Sequence, residues 1–230
     1  GNRENVADLA IVDPDMVMKM PPQLTADTGL DALTHAVEGY TCTWHTDMTD
    51  GLCVDAVRKI MAYLPRAYAD GTDREARTKM HNAATLAGLG FGNALASMAH
   101  ATGHALGAVF HVPHGRAVGL LLPYTVEFIA QKAPARFAEL AEVVGCAEGT
   151  DDVTAAFALA ACLRAFIRDL NNPVSIAEMG VNRAAFKTNV EALVEKAFTD
   201  GSLVASARTP NVDELQRFFA HAYKGESIDF

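Results

Sequence analysis

The sequence contains two pairs of residues whose side chains can bind metals, and the two members of each pair are four positions apart. Asp31 and His35 form one pair, and His100 and His104 form the other. In an α-helix this spacing puts both side chains of a pair on one face, about one turn apart. An acid and an imidazole in this arrangement can bind a divalent metal, by the same logic as the two histidines of an H-E-x-x-H helix. They can equally form an ordinary hydrogen-bonded pair.

The histidines are concentrated in one short stretch. His111 and His114 follow His100 and His104, among alanine, glycine and apolar neighbours. Burying four imidazoles without partners would cost on the order of several kcal/mol. One aspartate and three histidines suit iron(II) or zinc(II). The sequence therefore predicts a metal site, but the spacing leaves open which three of the four histidines bind.

A glycine cluster at Gly88, Gly90 and Gly92 superficially suggests a nucleotide-binding loop. No strand precedes it, and the G-x-G-x-x-G spacing with a later acid is absent. We expect these glycines to allow helices to approach closely near a pocket.

Composition narrows the class of protein. The 230 residues are half hydrophobic and carry a net charge of -9, which disfavours nucleic-acid and anionic-membrane partners. No apolar run approaches the ~20 residues that span a bilayer, and no signal peptide is visible. Four cysteines without a C-x-x-C pair predict reduced, mostly buried thiols and a cytoplasmic location; they are Cys42, Cys53, Cys146 and Cys162.

Apolar residues recur with helical period through most of the chain, which predicts an all-α, multi-helix fold. Asn182 and Thr150 stand where helix N-caps belong. Residues 7–12 read as a short strand or extended lead-in, although a lone strand has no partner. Helices are expected over 25–43, 46–65, 73 to the glycine cluster, 115–131, 134–144, 151–170, 182–198 and 211–223. A stretch of small residues over 93–110 holds His100 and His104.

Two blocks of this sequence contain a series of specific short runs. They are Asp13-Pro14-Asp15, Met18-Lys19-Met20-Pro21-Pro22, the run from Thr28 to Tyr40, Gly90-Phe91-Gly92-Asn93, the run from His100 to Gly107, and Pro113-His114-Gly115. In these runs the sequence resembles the iron-containing (group III) alcohol dehydrogenases. The resemblance is strongest over 13–40 and 88–123 and extends from near residue 11 to the C-terminus.

The resemblance implies a set of roles for individual residues. Matching the motif implies that the metal ligands, for Fe(II) or Zn(II), are Asp31, His35, His100 and His114. It implies that His104 lies beside the nicotinamide and the substrate as a catalytic proton relay, and that Phe91 lines the substrate pocket. Nothing is carried over to His111.

The resemblance also implies an activity and a domain organisation. Family members interconvert an alcohol and its aldehyde or ketone with NAD or NADP, using the metal as a Lewis acid. We expect residues 1–22 to be a lead-in from a dinucleotide-binding domain that the chain lacks. Residues 23–230 would form the dehydroquinate synthase-like, all-helical metal-binding domain. Most cofactor-binding residues would then lie elsewhere, the isolated chain would be inactive, and homo-oligomers are expected.

Two other classes of function compete with the dehydrogenase. The first is a metal-dependent hydrolase on an all-α scaffold, which typically shows an adjacent His-Asp pair that this sequence lacks. The second is a non-catalytic helical interaction module with structural histidines. Full thermal stability in a chelator, with no metal in freshly purified protein, would favour the interaction module.

Overall fold

The computed structural model describes residues 7–230, and within that range every regular element is helical. A short 3₁₀ helix (Pro14–Val17) precedes α1, and a second one (Gly201–Ala205) lies between α8 and α9. The α-helices are α1 (Pro22–Thr41), α2 (Asp47–Ala69), α3 (Arg74–Asn93), α4 (Met98–Phe110), α5 (His114–Ala130), α6 (Ala135–Val144), α7 (Asp152–Asp169), α8 (Arg183–Phe198) and α9 (Val212–Lys224). The all-α prediction is confirmed.

Two central helices organise the packing. Helix α1 packs against α2, α3 and α5, while α5 also contacts α4 and α7. Almost every residue of α5 is buried, as expected for a helix that is apolar on all sides. The face of α1 that contributes Leu30 and Leu33 to the core is fully buried. The chemistry-bearing residues of α1 are therefore held by a rigid helix.

The predicted strand over 7–12 is not formed. Residues 7–13 are exposed and have no regular secondary structure. No strand exists within 7–230 to supply the ladder hydrogen bonds that a strand here would need. The alternative, an extended lead-in from a dinucleotide-binding domain, stays a prediction.

Helix boundaries differ from prediction where packing outweighs local signals. Pro65 was expected to end the second helix, but α2 continues through it to Ala69, because Leu64 and Ala67 on either side are fully buried in the core. The predicted N-cap Asn182 is confirmed. The cap of α7 is Asp151 rather than Thr150, since the Asp151 side chain accepts a hydrogen bond from the Thr154 amide.

The glycine cluster lies inside α3, and close helix packing explains one of its three members. A Cβ on Gly90 would lie 2.5 Å from the Cys53 sulfur on α2. A Cβ on Gly88 or Gly92 would meet no atom within 4 Å.

The cysteine prediction was half wrong. Cys42 and Cys53 are free and buried, as expected. Cys146 and Cys162 instead form a disulfide that joins the end of α6 to α7. Disulfides are uncommon in reducing compartments, and the cytoplasmic location stays a prediction. In the described part of the chain, no helix has the length and apolar character needed to cross a membrane.

Candidate metal centre

Helix α1 presents Asp31 and His35 at the edge of the core. The helix begins with Pro22 at its first position, where the missing amide hydrogen costs nothing. One turn separates the two side chains, and His35 Nδ1 lies 3.7 Å from Asp31 Oδ1. Both side chains are largely buried. The predicted i, i+4 pair therefore exists as a pair on one helix face.

Two further histidines approach the same aspartate from α4 and α5. His100, in the first turn of α4, is only 3% exposed, and its Nε2 lies 3.7 Å from Asp31 Oδ1. A tight turn follows α4, in which His111 adopts a left-handed conformation with φ of 56°. His114 then opens α5 and brings its Nε2 to 3.1 Å from the same Asp31 oxygen.

These side chains form a compact set of potential metal ligands. Donor atoms of Asp31, His100 and His114 all lie within 4.8 Å of one another. The His35 ring stacks on the His100 ring with centroids 4.4 Å apart, which puts the fourth predicted ligand beside the other three. All four residues named by the resemblance are thus brought together, with His35 outside the set whose donor atoms lie within 4.8 Å of one another.

Two atoms in this set are buried without a suitable hydrogen bond within residues 7–230. They are Asp31 Oδ1 and His100 Nε2. His114 Nε2 lies 3.1 Å from Asp31 Oδ1, but the contact does not have the geometry of a hydrogen bond. Buried polar atoms are nearly always satisfied, so each exception calls for an explanation such as a bound ion. A carboxylate and three imidazoles are ligands that both iron(II) and zinc(II) accept. The residues present therefore fit a divalent transition metal.

Burial and neighbouring charges shift the pKa values of three residues in the cluster. Burial alone would raise the pKa of Asp31, but the His100 and His114 imidazoles hold it well below its usual range. Burial and the neighbouring His100 lower the pKa of His35 to about 4. Burial opposes a charge on His100, but the Glu38 and Asp31 carboxylates raise its pKa to about 9. Asp31 is therefore an anion at neutral pH and His35 keeps a free lone pair, while His100 must release a proton before it can bind a metal.

An open cleft of about 460 Å³ lies over the cluster. Phe91 on α3 forms part of its wall and stacks on His35, with ring centroids 3.9 Å apart. His104 also lines the cleft, and its ring stacks on the His114 ring with centroids 5.2 Å apart. Both residues predicted to face the substrate therefore line the cleft.

Comparison with known proteins identifies the family of this chain. A family model described as the C-terminal part of the Fe-containing alcohol dehydrogenase family matches residues 25–223. The chain belongs to that family. It is 37% identical over 227 residues to the NADPH-dependent butanol dehydrogenase of Clostridium saccharobutylicum, covering 97% of this chain and 57% of that protein. It is also 37% identical to the 1-propanol dehydrogenase PduQ of Salmonella typhimurium, covering 91% of this chain and 57% of the relative.

Solved structures show the same fold. The iron-containing alcohol dehydrogenase of Thermococcus thioreducens superposes with a TM-score of 0.87 at 31% identity, over 98% of this chain and 57% of that one. The alcohol dehydrogenase of Oenococcus oeni gives a TM-score of 0.86 at 35% identity, over 92% of this chain and 54% of that one. The chain thus spans little more than half the length of these relatives.

One acidic residue of this cleft, Asp200, was not predicted from the sequence. Asp200 Oδ2 lies 2.8 Å from His104 Nδ1, and Asp200 Oδ1 accepts the Ser202 amide hydrogen. Burial opposes ionisation, but the Ser202 amide and His104 hold the pKa of Asp200 below its ordinary value. Ninety-six residues separate Asp200 from His104, and no local spacing signals the contact.

Proposed function

We propose that this chain forms the metal-binding part of an NAD(P)-dependent alcohol dehydrogenase, which interconverts an alcohol and its aldehyde or ketone. The observation that carries the proposal is the convergence of Asp31, His100 and His114 within 4.8 Å. Two of their donor atoms are buried without a hydrogen bond in the described chain. A hydrolase or a non-catalytic module is not favoured, because the family assignment covers 25–223.

The proposed ligands of one Fe(II) or Zn(II) ion are Asp31, His35, His100 and His114. When bound, the metal would act as a Lewis acid that polarises the alcohol or carbonyl oxygen. The negative charge of Asp31 and the neutral ring of His35 suit them to bind a cation. Phe91 is the proposed substrate-pocket residue. Its ring stacks on His35, which supports a wall of the two rings against the carbon chain of the substrate.

His104 is the proposed site of proton transfer. Asp200 accepts a hydrogen bond from Nδ1–H of His104. The proton that moves would therefore be held at Nε2, the other ring nitrogen of His104. The His104 side chain is 43% exposed, which would let it exchange this proton with water. An imidazole held by a carboxylate at one nitrogen is suited to general acid–base catalysis at the other.

The substrate class and the source of the cofactor contacts are further parts of the proposal. Relatives are named for butanol, 1-propanol and 1,3-propanediol, which supports a small primary alcohol. These relatives are longer than this chain. We therefore propose that residues 23–230 act as the metal domain and that most NAD(P) contacts come from a nucleotide-binding domain outside these 230 residues.

The decisive test is turnover by the full-length enzyme that contains this chain, loaded anaerobically with Fe(II) or Zn(II). We expect NAD(P)-dependent oxidation of 1-propanol or 1-butanol that is lost on addition of a chelator and in the His114→Ala variant. A loaded enzyme that oxidises no alcohol, or that hydrolyses a phosphodiester instead, would overturn the proposal.

A further inference from the structure

Helix α1 carries a third functional group on the face that presents Asp31 and His35. Glu38 follows these residues at the i+7 and i+3 positions, the spacing of neighbours along one helix face. It is only 3% exposed. Within residues 7–230, His100 is its only ionic partner. A carboxylate is seldom buried so completely unless it is paired, so this contact needs an explanation.

Both oxygens of Glu38 are directed at the start of α4. Oε2 lies 2.6 Å from His100 Nδ1 and accepts the Ser97 amide hydrogen at 2.9 Å. Oε1 accepts the Ala99 amide hydrogen at 2.5 Å. The N-cap residue of α4, Ser97, makes no side-chain cap of its own. Glu38 therefore supplies that cap from another helix, where a negative charge is favoured by the helix dipole.

The same contact decides which nitrogen of His100 faces the metal centre. With Nδ1 held against Glu38, the ring presents Nε2 to Asp31 Oδ1 at 3.7 Å. This Nε2 is one of the two buried atoms without a hydrogen bond. A carboxylate on the distal nitrogen of a ligating histidine fixes the ring orientation and raises its basicity.

We infer that Glu38 is a positioning residue that holds His100 so that Nε2 binds the metal. The inference rests on the proposed metal site and adds to it a residue outside the ligand set. It couples two helices, because α1 then supplies two ligands and also orients the ligand that α4 supplies. Removing the Glu38 charge should weaken metal binding even where α4 stays folded.

The test compares Glu38→Gln with a matched loss of a buried carboxylate elsewhere. Glu127 is 2% exposed, accepts the Ile228 amide hydrogen at 2.9 Å and pairs with Arg164. Like Glu38→Gln, the Glu127→Gln variant removes a buried charge and weakens a hydrogen bond to a backbone amide. It differs because Glu127 lies on α5 and contacts Arg164 and Ile228, not a proposed metal ligand. Zinc affinity of the 230-residue chain is measured by competition with a chelating dye, and stability by denaturation in chelator.

We expect Glu38→Gln to bind zinc roughly 10- to 100-fold more weakly, and Glu127→Gln to lose stability while keeping the wild-type zinc affinity. A second readout is the ring proton of His100 in the ¹⁵N-labelled, zinc-loaded protein. It should show a strongly hydrogen-bonded Nδ1–H with zinc on Nε2, and that signature should change only in Glu38→Gln.

Three outcomes would overturn the inference: equal zinc affinity of Glu38→Gln and wild type, equal losses in both variants, or zinc on His100 Nδ1. If Glu38→Gln does not fold, Glu38→Asp replaces it, because its carboxylate keeps the charge but falls short of His100. Wild-type affinity in Glu38→Asp would also contradict the inference. Failure of the wild-type chain to bind any metal would instead overturn the proposed function.

Discussion

Gly115 on α5 lies directly against the backbone carbonyl of Asp27 on α1. A Cβ at Gly115 would overlap the Asp27 oxygen, lie 2.7 Å from its carbonyl carbon and lie 3.1 Å from Asp31 Cβ. No side chain fits between the two helices at this point. The contact therefore sets the distance between Asp31 and His114, the residue that precedes Gly115.

Gly115→Ala should consequently damage both the fold and the metal site. Overpacking of this kind costs about 1–3 kcal/mol, and the shift of α5 would move His114 away from Asp31. Denaturation in chelator and zinc titration measure the two effects. Gly88→Ala is the control, since a Cβ there meets no atom within 4 Å and alanine favours the helix by about 0.5–1 kcal/mol. Equal zinc affinity in Gly115→Ala and wild type would contradict the prediction.

Asp200→Asn should slow turnover of the full-length enzyme without removing the metal. The carboxamide oxygen would keep the hydrogen bond from the Ser202 amide, so its NH₂ group would face His104 Nδ1 as a donor. The proton of the neutral ring would then move to Nε2. Loss of a positioned general acid–base typically costs a factor of about 10² or more. We expect His104→Ala to reach that loss and Asp200→Asn to approach it, with metal content unchanged in both.

Asp151→Asn is the matched control for Asp200→Asn. Asp151 caps α7 through the Thr154 amide much as Asp200 caps its 3₁₀ helix through Ser202, but it lies outside the cleft. Its substitution should leave turnover unchanged. Wild-type turnover in Asp200→Asn would show that Asp200 does not contribute to catalysis.

The disulfide between Cys146 and Cys162 should contribute measurably to stability. It closes a loop of 16 residues, for which the chain-entropy model gives about 3 kcal/mol. Denaturation with and without a thiol reductant measures the difference. The Cys162→Ala variant should not respond to reductant. If the denaturation midpoint of the wild-type chain does not change when reductant is added, the two thiols are not bonded in solution.

Alkaline pH should destabilise the fold through Cys53. Burial raises the pKa of its thiol from 9.0 to about 12. Between these values the unfolded chain loses this proton while the folded chain keeps it, so the free energy of unfolding falls as pH rises. One thiol contributes at most about 1.4 kcal/mol per pH unit.

Tyr40 shifts in the same direction, because burial and Glu139 raise its pKa to about 12. Cys53→Ala should therefore flatten the alkaline decline only in part. Denaturation midpoints measured between pH 9 and pH 12 check this. An equally steep decline in Cys53→Ala and wild type would exclude the thiol as its source.

Sequence periodicity was enough to predict the helical fold, because the apolar stripes of α1 and α2 face a single core. It misplaced the end of α2 at Pro65, since the burial of Ala67 depends on neighbours that are distant in sequence. The spacing of Asp31 and His35 indicated one half of the metal centre. Spacing could not predict that α4 and α5 approach α1, and only the family resemblance indicated which of the histidines would bind the metal.

The sequence indicated a role for one of the two carboxylates outside the ligand set, Glu38, but not for the other, Asp200. Glu38 is separated from His100 by 62 residues, but it carried a signal in its position on the same face of α1 as Asp31. An acid within an otherwise buried helix face is unusual. Asp200 lies in a loop before a short 3₁₀ helix, and its contact with His104 exists only after α4 and α8 have packed together.

The proposed site holds a single metal ion through Asp31, His35, His100 and His114. Its most direct test is the metal content of the chain after anaerobic loading with Fe(II) or Zn(II) and removal of excess metal. We predict one ion per wild-type chain and its loss in His35→Ala and His114→Ala. His111→Asn should retain the ion, because asparagine tolerates the left-handed conformation at that turn. Equal metal content in all four proteins would contradict the account.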